Sequence, residues 1–165
     1  MRLTIAALAA CLACAAAGAQ EQPTYRLKRD TPSAGTLLRS TGATSTMPFD
    51  KPYAALTPAQ QASLKAQYES MGPGDEPPYP AQGTRHIWQA LIKAGDRYDE
   101  HGVVSIVVDV DATGTATRAT VLKAPGKQLA TYMSMILLKE RYKSALCGGA
   151  ACSQQFRFDA GWVDG

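Results

Sequence analysis

Residues 102–126 read GVVSIVVDVDATGTATRATVLKAPG, and the periods inside this run decide the fold. Val104, Ile106, Val108 and Val110 alternate with mostly smaller or polar residues, the pattern of a strand with one face in a core. Asp111-Ala112-Thr113-Gly114 carries turn chemistry, and Thr115 to Leu122 returns as a second strand rich in β-branched residues. The run is therefore a half-buried hairpin. After Pro125-Gly126 the period changes: Leu129, Tyr132, Met133, Ile136 and Leu137 recur at helical spacing, so one stripe of a helix needs a surface to bury against, and the hairpin is the nearest. Phe156, Phe158, Ala160 and Trp162 then alternate with Gln155, Arg157 and Asp159, which predicts a closing strand. The predicted class is α+β, a β-β-α-β sheet packed on a helix.

Outward from this core the chain divides by composition. Arg2 is a short basic region, Leu3 to Ala17 is apolar and Ala-rich, and Ala17-Gly18-Ala19 is a small-x-small site before Gln20, so residues 1–19 read as a cleaved export signal. Two other readings stay open. Leu8-Ala9-Ala10-Cys11 imitates a lipobox, which would make Cys11 a lipidated N-terminus, and the same apolar stretch retained would be a membrane anchor at the lower limit of spanning length. Removing 19 of the 165 residues leaves 146, enough for one domain with an N-terminal extension. Residues 20–53 lack a sustained apolar period and are dense in Thr, Ser, Pro and Gly, predicting an extended or weakly ordered arm. Residues 54–82 hold a short helix and a Pro-rich connector. Thr57 is the expected N-cap, Pro58 the first helical residue and Gln60 the third member of a capping box; Leu64, Tyr68 and Met71 lie on one stripe before Gly72-Pro73-Gly74. Within 83–165, Thr84 opens a second helix whose Ile87, Trp88, Leu91 and Ile92 form an apolar face expected to end at Gly95.

Pro78-Tyr79-Pro80, the 102–126 run and RYKSALCGGAACSQQFRF at 141–158 together resemble the C-terminal domain of TonB-type energy transducers. Several of that family's features are altered here: Ala124-Pro125-Gly126 stands for Ser-Ser-Gly, Tyr142 for a common Phe, and Ser144-Ala145 for Pro-Ala. The resemblance covers roughly the last half of the chain. It implies a domain that grips a short segment of an outer-membrane receptor.

An exported chain meets oxidising conditions, and the two cysteines that follow the signal, Cys147 and Cys152, are expected to pair across the flexible Gly148-Gly149-Ala150-Ala151. Four intervening residues do not suit a redox motif, and metal ligation would need further ligands at suitable spacing. No Ser or Cys lies in a nucleophile context, and His86 and His101, the latter near Asp96, Asp99 and Glu100, read as surface or helix-end residues. Asp109 to Gly114 imitates a calcium loop, but its last ligand position falls on Thr120 and a hairpin turn explains it better. No catalytic residue, metal or cofactor is therefore expected. Seventeen basic against fourteen acidic residues give a mild positive balance with no basic run, uninformative about nucleic acid, and none is expected as a partner; Arg26, Lys28 and Arg29 form a small cluster that reads as a solvated tail, with an anionic membrane or cell-wall surface as the alternative.

The functional expectation is a non-enzymatic periplasmic or secreted binding module. An open sheet leaves an edge, and the candidate edge is Gln154, Gln155, Phe156, Arg157, Phe158 and Asp159, which an extended protein segment can extend by strand addition. A second copy of the chain can use the same edge. The alternatives are energy transduction to outer-membrane receptors, if the N-terminus is retained as an anchor, and an envelope or peptidoglycan-associated structural role. Residues 20–80 could reach on the order of 200 Å if extended, so length permits transduction, but they hold a helix and no long Pro-rich rod.

Overall fold

A computed structural model of the protein describes residues 25–27 and 43–161. The export signal, Cys11 and Trp162 lie outside the described residues. In chain order the elements are β1 (Tyr25–Leu27), β2 (Ala43–Ser45), a 3-10 turn at Tyr53–Ala55, α1 (Pro58–Lys65), β3 (Tyr79–Pro80), α2 (Arg85–Tyr98), β4 (Val104–Val110), β5 (Ala116–Lys123), α3 (Lys127–Lys139), β6 (Tyr142–Lys143), β7 (Ala145–Cys147), β8 (Ala150–Cys152) and β9 (Gln154–Ala160). The fold is mixed α+β.

The main sheet is antiparallel with order β5-β4-β9, so β4 is central and both β5 and β9 are edges. Val104, Ile106, Val108 and Val110 are buried beneath the helices together with Phe156, Phe158 and Ala160 of β9. The β4–β5 turn is fixed by Asp111, whose Oδ1 accepts from Thr113 N at 2.8 Å, Thr113 Oγ1 at 2.6 Å and Thr115 N at 3.0 Å. These bonds hold the Asp111 carboxyl below its ordinary range, the Thr113 hydroxyl contributing most. Gly114 follows with φ +81°, and a Cβ there would collide with the Tyr142 carbonyl. The turn is thereby docked on β6, with Tyr142 N donating to Gly114 O at 3.1 Å.

Helix α3 buries Leu129, Met133 and Leu137 completely, the stripe its spacing predicts. Gly126 gives it no side-chain cap; instead Glu100, which precedes β4, accepts from Leu129 N at 2.7 Å and sets a carboxylate against the positive helix end. In α1 both halves of the capping box form, Gln60 N donating to Thr57 Oγ1 at 3.3 Å and Thr57 N to Gln60 Oε1 at 3.0 Å. The helix then stops at Lys65, short of the Gly72 end expected from its stripe, and Tyr68 lies beyond it. Helix α2 overruns its expected end: Gly95 is buried within it, and Asp99, left-handed at φ 52°, closes it by donating its N–H to the Gly95 carbonyl.

The core also takes in Met47, Pro48, Phe49 and Tyr53 from the segment before α1. Phe49 meets Trp88 edge-on at 5.5 Å between centroids, and Phe49 O accepts from Arg85 N at 2.7 Å. The Pro-rich connector is not a loose strap. Glu76 exchanges backbone bonds of 2.9 Å in both directions with Leu146, and Tyr79-Pro80 pairs with Tyr142-Lys143. Between these segments and β9, the Cys147–Cys152 disulfide closes the β7–β8 hairpin, whose tip is Gly148-Gly149 at φ 58° and 86°.

Candidate functional site

Strand β9 contains all six residues of the expected edge, and its two faces divide cleanly. Phe156 and Phe158 point to the core, where they meet Tyr79 at 6.3 Å and Trp88 at 5.3 Å respectively. Gln155, Arg157 and Asp159 lie on the solvent face, where their side chains are tied down locally. Gln155 Nε2 donates to Asp109 Oδ1 at 2.8 Å, Ser105 Oγ to Asp159 Oδ1 at 2.5 Å, and Arg157 Nε lies 2.7 Å from Asp159 Oδ2. Those contacts pin the register of β9 on β4.

In an antiparallel pair, residues alternate between bonding the neighbour and facing away. Gln155 faces away from β4, because its carbonyl accepts from Tyr68 Oη at 2.7 Å. Asp109, opposite Gln155, correspondingly turns its carbonyl toward β5, where Thr117 Oγ1 donates to it at 3.2 Å. Alternation then makes Arg157 and Asp159 outward-facing as well. Gln155 is closed: Gln154 Oε1 takes its N–H at 3.3 Å and Tyr68 takes its carbonyl. Burial pushes the Tyr68 phenol up to about 12, which keeps it a donor at any physiological pH. Among the described residues nothing bonds the outward backbone groups of Arg157 and Asp159, so the open part of the edge there is the Arg157–Asp159 end, shorter than the sequence implies.

Beside that end lies a cleft of about 280 Å³, lined by Phe156 to Asp159, by residues 45–47 across from them, and by Leu64 and Gln67. Tyr79, Thr84 and Trp88 lie at its base. Tyr79 is 2 % and Thr84 7 % exposed, and each hydroxyl has at most the other as its hydrogen-bond partner. Burial raises the Tyr79 phenol to about 12, with the neighbouring Thr84 hydroxyl offsetting part of the rise.

Comparison with family models, with curated proteins and with solved structures finds no match for this chain.

The other edge, β5, differs in kind. Its pairing with β4 is interrupted by register shifts between Ser105 and Ile106 and between Asp109 and Val110, and it carries Arg118 and Lys123. Bulges and charges of this sort protect an edge against added strands. The remaining candidates are dispersed. His86 Nδ1 lies 3.2 Å from Glu140 Oε2 between α2 and the end of α3, while His101 lies 4.0 Å from Asp96 and 3.7 Å from Asp99. The carboxylate of Asp111 is spent on its own turn. Among the described residues there is no group of three or more His, Cys, Asp or Glu side chains placed to hold a metal ion, and no helix is long and apolar enough to cross a membrane. Tyr68, residues 45–47 and the buried Tyr79 and Thr84 hydroxyls carry no sequence signal that marks them as neighbours of β9.

Proposed function

We propose that this protein is an exported, non-enzymatic interaction module that captures an extended protein segment by strand addition at the Arg157–Asp159 end of β9. The observation that carries this reading is the coincidence of an edge strand whose outward backbone groups at Arg157 and Asp159 meet no partner among the described residues with a cleft alongside those same residues. An added strand would complete the ladder there while sending alternate side chains toward the buried base of the cleft. The side chains of β9 itself are engaged in intramolecular contacts, so recognition falls to main-chain bonds and to the cleft.

The resemblance to TonB C-terminal domains supports the same reading. Tyr79-Pro80 from one of the pieces that carry it and Tyr142-Lys143 from another, the 141–158 run, lie side by side as β3 and β6. Export rests on the signal-like residues 1–19 and agrees with the Cys147–Cys152 disulfide, which favours an oxidising compartment. Periplasmic residence with an outer-membrane receptor segment as partner follows from the resemblance alone, and energy transduction requires the first 19 residues to remain as an anchor.

Heptapeptides selected from a random displayed library on the mature protein supply the test. Arg157→Pro removes an N–H that faces away from β4, so the variant should keep its fold and lose at least about tenfold in affinity for strand-adding peptides. Phe158→Pro removes a bond to β4 and should destabilise the sheet. A folded Arg157→Pro protein that retains full affinity for every selected peptide contradicts strand addition at this edge.

A further inference from the structure

We propose that Tyr79 and Thr84 form a hydroxyl pair that reads an amide side chain, asparagine or glutamine, at one position of the captured strand. This inference rests on strand addition at β9 and names the chemistry of what is added there.

Buried hydroxyls are almost always hydrogen-bonded, so two that have at most each other as partners at the base of one cleft call for an explanation. The fold does not require either oxygen. Thr84 sits at the N-cap of α2, yet its side chain makes no capping bond, and a valine would fill the same volume. The Tyr79 ring packs edge-on against Phe156, which a phenylalanine would do equally well. Both oxygens therefore leave hydrogen-bonding capacity unused among the described residues.

Geometry supplies the use. A strand laid outside β9 projects alternate side chains to the face that carries Phe156 and Phe158, and Tyr79, Thr84 and Trp88 lie on that face. An incoming side chain would run its stem past Leu64 and Met47 and end at the hydroxyls. Each hydroxyl donates one hydrogen and accepts through its lone pairs, and a carboxamide offers both an acceptor oxygen and a donor nitrogen. A carboxylate fits less well, because Arg157, the cation that lines the cleft, is paired with Asp159 on the solvent face and cannot compensate for burying a charge at the base. An aliphatic side chain would leave both hydroxyls sealed with no partner beyond each other.

The experiment compares library selection on the wild-type protein and on the Tyr79→Phe/Thr84→Val double variant, confined to peptides whose binding is lost in Arg157→Pro. On the wild type, asparagine or glutamine should dominate one position, and replacing it by leucine should weaken binding about tenfold or more. On the double variant that penalty should vanish, while the melting temperature is kept or raised. Tyr53→Phe, which removes another unpartnered buried hydroxyl outside this cleft, should leave the preference intact. An undiminished amide preference in the double variant, or Arg157-dependent peptides without any amide preference in the wild type, overturns the hydroxyl pair while leaving strand addition standing. A selection in which no peptide depends on the Arg157 amide overturns both.

Discussion

Gly114 concentrates several requirements in one residue. Its φ of +81° closes the β4–β5 turn, its carbonyl accepts from Tyr142, and the space where a Cβ would stand is filled by the Tyr142 backbone. A left-handed conformation costs an alanine about 1–2 kcal/mol before any collision is counted. Gly114→Ala should therefore lower stability by at least about 2 kcal/mol in urea denaturation, with the β6 contact loosened. A loss below about 0.5 kcal/mol would mean that the turn and β6 are not coupled. The Asp111 carboxylate shows how one side chain can mislead: three donors from its own turn account for the oxygen pattern that imitates a cation loop.

At the scale of elements, local signals proved the most legible. Thr57, Pro58 and Gln60 specify their capping box within one turn of chain, and the 102–126 hairpin carries both its period and its turn in contiguous residues. The ends of α1 and α2 depart from their sequence signals because packing decides them. Gly95 continues a helix since it is buried in the core-facing side of α2, and Tyr68 leaves its stripe to reach a carbonyl 87 residues away. Met47 and Phe49 join the core without any periodicity to announce them, because a short irregular segment needs only the right residues opposite Trp88. The β7–β8 hairpin is the element most dependent on a covalent tie. Reducing Cys147–Cys152 should cost about 2 kcal/mol by the loop-entropy argument and leave the β5-β4-β9 sheet folded. Denaturation midpoints with and without reductant report it, and an unchanged midpoint would show that Asp75, whose Oδ1 accepts from Gly148 N at 2.7 Å, holds the hairpin unaided.

Across the whole molecule, one core joins the helices, the three-stranded sheet and the segment before α1, and its tyrosines give it a pH signature. Burial raises the phenols of Tyr53, Tyr68, Tyr79 and Tyr142 above their ordinary value of 10.0, Tyr68 and Tyr79 to about 12. The unfolded chain ionises first, so the stability linked to these groups is complete below about pH 10 and is lost as pH rises from there through about 12. Asp75 and Asp111 act at the other end: their lowered carboxyls favour the fold above the ordinary carboxylate range and withdraw that support as pH falls below it. Neither set imposes a slope near neutrality. A spectrophotometric titration should show these phenols delayed relative to the denatured protein, and a native titration coincident with the denatured one would contradict their burial. The candidate edge was legible in the sequence as the alternation of Phe156 and Phe158 with Arg157 and Asp159. Its partial closure at Gln155 was not, because Tyr68 reaches it only through the tertiary fold.

Amide hydrogen exchange on the protein, with and without a selected strand-forming peptide, addresses the proposed edge most directly. The backbone N–H groups of Arg157 and Asp159 should exchange freely alone and become protected with peptide bound, while those along the outer side of β5 stay unchanged. Protection appearing on β5, or none at Arg157 and Asp159 when the peptide is bound, would contradict capture at β9.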